Sequence, residues 1–181
     1  MPDPALCTES ANENYFFGTF SLFLQPSGGA EFDVGNIDAG GFLHTPNILE
    51  HRRGTDNSLD AVFVLGRDYT INFTADEITS INLATLLNEI QANIAGGCKI
   101  PLTGGRCVTT YGARLLAAFP CGTKTIEITF WRAFVLGEFE LAFTREGFAQ
   151  LPGTIRSAAC DTSHPAEPYG QIIISGAVCA S

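Results

Sequence analysis

Three stretches of the chain alternate apolar and polar residues with a period of two: Tyr69-Thr70-Ile71-Asn72-Phe73-Thr74, Thr125-Ile126-Glu127-Ile128-Thr129-Phe130 and Glu138-Phe139-Glu140-Leu141-Ala142-Phe143-Thr144. Successive side chains of a strand point to opposite faces, so each stretch predicts a half-buried β-strand. Trp131-Arg132-Ala133-Phe134-Val135-Leu136 bridges the last two, with Gly137 as the bend. Residues 15–24 are rich in aromatics and predict an earlier strand, ended by the turn residues Pro26-Ser27-Gly28-Gly29. A short strand over Glu31-Phe32-Asp33-Val34 follows, with Gly35-Asn36 as a turn or bulge. Residues 41–50 continue in extended form, and Ala61 to Leu65 is continuously apolar up to Gly66-Arg67-Asp68. Gln171-Ile172-Ile173-Ile174 predicts a last strand, preceded by a loop over residues 155–170 that contains Pro165 and Pro168.

One segment has the helical period. Ile81, Leu83, Leu86, Leu87, Ile90 and Ile94 recur at helix spacing, with Asn82, Thr85, Asn88 and Glu89 on the other side, which predicts an amphipathic helix over residues 80–95. Thr74-Ala75-Asp76-Glu77 has a capping-box pattern, Ser80 is a second candidate cap, and Gly96-Gly97 ends the element. Many short strands with a single helix predict a mainly β fold, an antiparallel β-sandwich or partly closed barrel with one flanking α-helix. No linker divides residues 1–181, so a single domain is expected, with residues 1–14 as a flexible N-terminal arm.

Between two strand-like stretches lies Glu50-His51-Arg52-Arg53-Gly54-Thr55-Asp56-Asn57-Ser58-Leu59-Asp60, where an ordinary hairpin needs only a few residues. A charged loop over residues 49–61 is therefore expected, either disordered or placed to touch a partner.

Composition narrows the function classes. Apolar content of 45% with 16% charged residues belongs to a folded globular chain, and this length buries about 70% of the unfolded surface. A net charge of −9 argues against a protein that grips nucleic-acid phosphates, since an acidic surface repels the duplex backbone. The apolar stretch at residues 15–24 follows Asp3, Glu9 and Glu13 without a positive n-region, which argues against a signal peptide. No run approaches the roughly 20 apolar residues of a membrane span, so no membrane anchor is expected.

The search for chemistry finds little. The three histidines, His44, His51 and His164, do not form a metal-ligand pattern, and the six cysteines show no Cys-x-x-Cys, so free buried thiols and no metal or cofactor are expected. There is no nucleophile elbow, Walker loop or dinucleotide fingerprint. Glu127, Glu138 and Glu140 lie on strand faces where a glycosidase pair would sit, but alternation already explains them as solvent-facing acids. Trp131 and Tyr69 are candidate stackers for a ligand- or carbohydrate-binding module. Phe73, Phe130, Phe139 and Phe143 fall on the apolar phase of their strands and belong to the core. No catalytic residue is assigned.

In their order along the chain, several of these elements resemble the major tail tube proteins of long-tailed (siphovirus-type) bacteriophages. The strand ending Asp33-Val34-Gly35-Asn36-Ile37, the extended pair around the charged loop (residues 42–73), and Asp76-Glu77 leading into Asn82-Leu83-Ala84 carry the likeness. So do the strand at residues 138–143 and the late Tyr169-Gly170. The likeness covers about residues 15–175, and its weight lies in the ordered set. It implies a β-sandwich or barrel protomer whose copies form hexameric rings, stacked into a virion tail tube that conducts double-stranded DNA without binding it specifically, beside other tail proteins. Edge strands would then serve as ring contacts. The loop residues Glu50, His51, Arg52, Arg53, Asp56 and Asp60 would reach a neighbouring ring or subunit, a basic half and an acidic half meeting a neighbour's complement. Glu127, Glu138 and Glu140 are the candidate lumen acids. The six cysteines and the Gly-rich segment 95–112 depart from the family picture. A type VI secretion tube-like protein or a tail terminator of the same fold, and a non-enzymatic ligand-binding sandwich, are the other readings.

Overall fold

The computed structural model describes residues 19–54, 57–76, 79–103, 107–118, 124–136, 150–159 and 163–176. Among these residues, nine strands and one helix follow in the order β1 (Thr19–Pro26), β2 (Phe32–Arg52), β3 (Leu59–Ala75), α1 (Ser80–Leu86), β4 (Ala92–Ile94), β5 (Gly97–Lys99), β6 (Thr110–Ala118), β7 (Thr125–Leu136), β8 (Leu151–Ser157) and β9 (Gly170–Ser175). The fold is mainly β with antiparallel pairing, as expected. The predicted strand at residues 138–144, the N-terminal arm, and Cys7, Cys121, Cys160 and Cys179 lie outside the described residues.

The main sheet runs β6-β1-β2-β3-β8-β7-β9, and β6 also pairs β7, so the ladder turns back on itself as a partly closed barrel. Alternation sets its interior. In β6, Tyr111, Ala113, Leu115 and Ala117 point inward, and they meet Ile128, Phe130, Ala133 and Val135 of β7. Leu22 and Leu24 of β1, Ile71 and Phe73 of β3, and Leu151 and Ile155 of β8 complete one continuous core. Closure is partial because β7 is shared. Residues 133–136 of β7 pair with β8 and residues 125–130 pair with β9, while β6 covers the opposite edge along most of that length. Strands β8 and β9 thus lie end to end on one edge of β7.

A bulge shapes the wall at β2. In β2 one residue more than in β1 is spent between Asp33 and Asn36, and Gly35 has a φ of 96°, which favours glycine. This bulge is the place where the sequence suggested a turn or bulge, and the strand runs on through it for 21 residues in all.

The helix departs from expectation. It spans Ser80–Leu86, not residues 80–95, and its N-cap is Thr79, whose Oγ1 accepts a hydrogen bond from the Asn82 amide at 3.1 Å. Asn88 ends it in the left-handed region (φ 54°), its side chain donating to the Cys107 carbonyl and accepting from the Thr109 amide. Gly96-Gly97 belongs instead to the turn of the small β4–β5 hairpin. The buried face is also different. Asn82, Ala84 and Thr85 are buried and Ile81 is exposed, because the Asn82 amide donates to the Val34 carbonyl at the β2 bulge. Leu83 and Leu86 pack against the core, and α1 thereby closes one end of the barrel.

Strands β6 and β8 were not anticipated. The inward positions of β6 include two alanines, which mark the apolar phase only weakly. Leu151-Pro152-Gly153 reads as a turn, yet it pairs with Phe73, Thr74 and Ala75. Glycine is required there, because a Cβ on Gly153 would collide with the Phe73 ring and with Leu86.

Candidate assembly interface

The charged segment expected as a long loop is the end of a β-hairpin. Strands β2 and β3 stay paired from Ile37↔Ala75 to Arg52↔Leu59, so Glu50, His51, Arg52 and Asp60 stand on strands. The turn is held by hydrogen bonds from the Asn57 amide to the Arg53 carbonyl and from the Arg53 amide to the Ser58 carbonyl, each 3.0 Å. Continued pairing satisfies main-chain groups that a free loop would leave to water, which is why the strands persist through a charged sequence.

The tip charges pair with one another. The Arg52 guanidinium donates to Glu50 at 2.7 and 3.1 Å, Arg53 donates to Asp60 at 3.1 Å, and His51 Nδ1 lies 3.4 Å from the other Asp60 oxygen. Asp56 lies outside the described residues. The pairing differs from the expected basic half and acidic half: opposite charges meet within one tip.

Behind the tip the hairpin is apolar on both faces. Cross-strand partners share a face and neighbours alternate, so Ile48, Val62 and Val64 lie on one side and Leu49 and Phe63 on the other. Leu49, Phe63 and Val64 are each 54% exposed and Leu65 is 64% exposed. Over Leu59–Tyr69, about 35 Å of strand, β3 has no partner but β2 among the described residues, and β2 beyond Ile37 has none but β3. A two-stranded ribbon is marginal alone in water. One with large aliphatic side chains on both sides has a surface suited to burial by another chain.

At its root the hairpin meets an aromatic cluster. Phe42 stacks on Tyr69 (centroids 6.1 Å) and contacts Phe130 (6.4 Å), while Tyr69 also stacks on His44 (5.1 Å) and meets Tyr169 (5.5 Å). Beside this cluster a cleft of about 420 Å³ opens between the root of β3, at Arg67 and Tyr69, and the start of β9, at Gly170 to Ile172. Strand β8 ends at Ser157, and above that point no strand among the described residues bridges β3 to β9. The segment leading into β9 is pinned to β7. His164 stacks on Trp131 at 3.9 Å, and the indole Nε1 donates to the Glu167 carbonyl at 2.9 Å. Gly170 hugs β7 so closely that a Cβ would run into the Thr129 carbonyl oxygen. Both candidate stackers, Trp131 and Tyr69, are thus already faced by rings of this chain.

Of the candidate lumen acids, Glu138 and Glu140 lie outside the described residues. Glu127 is half-buried on the face of β7 opposite Ile128 and accepts from Thr129 Oγ1 at 3.2 Å. It shares that face with Arg114, whose guanidinium is held above its ordinary value by the hydrogen bond to Glu31 and further by the charges of Glu31 and Glu127. Cys98 and Cys107 are free and exposed, not buried as expected. Among the described residues no three His, Cys, Asp or Glu side chains converge as a metal site would require, and no helix is long and apolar enough to cross a membrane.

No protein-family model matches the sequence, and no curated protein does. Among solved structures, a chain in the 6-fold symmetrised cryo-EM structure of the anti-feeding prophage (AFP) baseplate superposes with a TM-score of 0.51 at 10% identity, over 90% of this chain and 95% of that chain. The likeness is one of fold. It spans nearly all of both chains.

The aliphatic flanks of the hairpin are an exposed candidate surface that sequence reasoning missed. The signal was present in the uninterrupted run Ala61-Val62-Phe63-Val64-Leu65, which is continuous where a half-buried strand alternates.

Proposed function

We propose that this chain is a structural subunit of a phage-type tail, one that associates with copies of itself into rings and stacks them into a tube. The observation that carries the reading is the β2–β3 hairpin: a ribbon extending from a well-packed barrel, apolar on both faces and uncovered among the described residues. The shared fold with a chain of a 6-fold symmetrised prophage baseplate supports it, as does the resemblance in element order to tail tube proteins. A contact between a projecting arm and a different patch of the next copy is heterologous, so it closes into a ring or continues as a filament. Residues Glu50, His51, Arg52, Arg53 and Asp60 hold the end of the arm together, and its aliphatic flanks make the contact. The acidic balance of the chain keeps double-stranded DNA sliding through the channel without adhering. The subunit performs no catalysis, takes no cofactor and resides in the virion beside other tail proteins.

Negative-stain microscopy of the purified protein tests this. Rings or tubes with an open channel are expected. A monomer at every accessible concentration overturns the proposal, and single rings that never stack would favour a terminator or baseplate role over a tube.

A further inference from the structure

Among the described residues, helix α1 closes one end of the barrel, and the cleft of about 420 Å³ at the hairpin root opens at the other. Register places it there. Ile71, Tyr69 and Arg67 follow one another on one face of β3, from the buried core out to the rim. Ile172 pairs with buried Ile128, so β9 and β7 turn the same inward face to this space. Four rings bound it. Phe42 and Tyr69 lie within 18° of parallel, while Phe130 is tilted 50° to Phe42 and Tyr169 is tilted 55° to Tyr69. Rings inclined in this way bound a concave space, and their mutual contacts fix it before a ligand arrives. Two opposite charges line the same cleft, Arg67 on the β3 wall and Glu167 on the wall that leads into β9. Neither forms an ion pair among the described residues. The acid next to Arg67, Asp68, is met instead by Arg156 at 2.9 Å.

We propose that this barrel mouth binds a phosphocholine group, with its quaternary ammonium among the four rings and its phosphate at Arg67. The proposal is independent of the assembly reading. A ligand carrying both signs is called for, because each wall of the cleft holds one unpaired charge, and the two charges are opposite. The cation is a quaternary ammonium, not a primary one. A primary ammonium would have to replace its hydration with hydrogen-bond acceptors, and the walls are mainly aromatic and aliphatic. A methylated ammonium has no N–H to satisfy. It is attracted to a ring face within about 6 Å of the centroid, and the Glu167 carboxylate adds to that attraction. The anion is a phosphate ester. The Arg67 guanidinium presents a planar fork that meets phosphate oxygens in pairs, and Tyr69, on the same face of β3, adds a phenolic donor. The cleft also falls within the size range of small-molecule sites, which barrel mouths commonly supply.

Isothermal titration of the full chain with phosphocholine, beside choline and phosphoethanolamine, tests this. Saturable binding of phosphocholine is expected, with choline and phosphoethanolamine each weaker by about tenfold. Arg67 is exposed, so Arg67→Ala leaves the fold intact. That variant is expected to bind phosphocholine no better than choline, while its affinity for choline stays at the parent value. Glu167→Gln is expected to weaken phosphocholine and choline alike. No saturable heat from phosphocholine up to about 10 mM overturns the proposal. So does equal binding of phosphoethanolamine by the parent protein, or undiminished phosphocholine binding by Arg67→Ala. Sedimentation with phosphatidylcholine vesicles separates the two sources of the group: co-sedimentation assigns a lipid headgroup, and binding of the soluble ester alone assigns the free form.

Discussion

The barrel and the outer hairpin are built from the same material and treat it oppositely. Strand β3 belongs to both. Its residues Ile71, Phe73 and Ala75 are buried to 0–4% exposure, whereas Val62, Phe63, Val64 and Leu65, a few positions earlier, are about half exposed or more. Nothing in hydrophobicity separates the two halves. What separates them is the company each half keeps: β8 covers one edge of the inner half, while the outer half has only β2 among the described residues. Apolar side chains thus serve two ends in one strand. In the inner half they stabilise the monomer, and in the outer half, under the proposed assembly, their stabilisation waits for another chain.

A crossed pair of substitutions breaks the comparison most directly. Ile71→Ala removes a fully buried side chain and should destabilise the monomer by about 2–5 kcal/mol, read from the shift of the denaturant midpoint. Phe63→Ser removes an equally apolar side chain from the outer hairpin and should move that midpoint by less than about 0.5 kcal/mol, as an exposed site does. Assembly should respond the other way round, with Phe63→Ser losing rings at concentrations where the parent forms them. Comparable monomer destabilisation by both would mean that the hairpin folds back on its own barrel.

The helix offers a smaller and sharper contrast, because its buried side is held by a polar group. Asn82 donates to the Val34 carbonyl, an acceptor that the Gly35 bulge turns out of the sheet ladder. Asn82→Ala leaves that carbonyl buried without this donor, so a loss of about 1–3 kcal/mol is expected. Exposed Ile81 on the same helix should tolerate Ile81→Ser with almost no change in the same melt. The sequence pattern implied the reverse ranking.

That reversal shows where sequence reading reaches. Alternation was legible wherever bulky side chains marked the inward phase, as in Ile71-Asn72-Phe73 or Ile126 to Phe130, and it supported the class of fold. It failed in β6, where Ala113 and Ala117 mark the interior too faintly. It failed in β8, where Pro152 and Gly153 look like a turn, although Gly153 is there to let Phe73 and Leu86 approach. Helical spacing overran its element because Asn88 stops the helix through contacts with Cys107 and Thr109, which no local pattern encodes. The candidate interface was half legible. Its charges stand out in the sequence, while the aliphatic run behind them resembles an ordinary buried strand. Whether a strand has a partner on its second edge is a tertiary fact, absent from the strand itself.

The gentlest test asks which half of the hairpin does the binding. A contact made by complementary charges on two subunits weakens steeply with salt, since the screening length falls from about 10 Å at 0.1 M to about 3 Å at 1 M. Here Glu50 is met by Arg52, and Asp60 by Arg53 and His51, within the same tip. Little unbalanced field remains to be screened, and exposed pairs of this kind contribute only about 0–1 kcal/mol each. Burial of Ile48, Leu49, Val62, Phe63 and Val64 against a neighbour responds to salt weakly and in the favourable direction. The concentration at which rings fall apart, followed by sedimentation, should therefore change by less than about threefold between 0.1 and 1 M sodium chloride. Dissociation at high salt would return the contact to the charges, with the tip pairs exchanging partners on assembly. Persistence would leave the charges the task of holding the turn at Arg53–Ser58 in shape, and the aliphatic flanks the task of joining subunits.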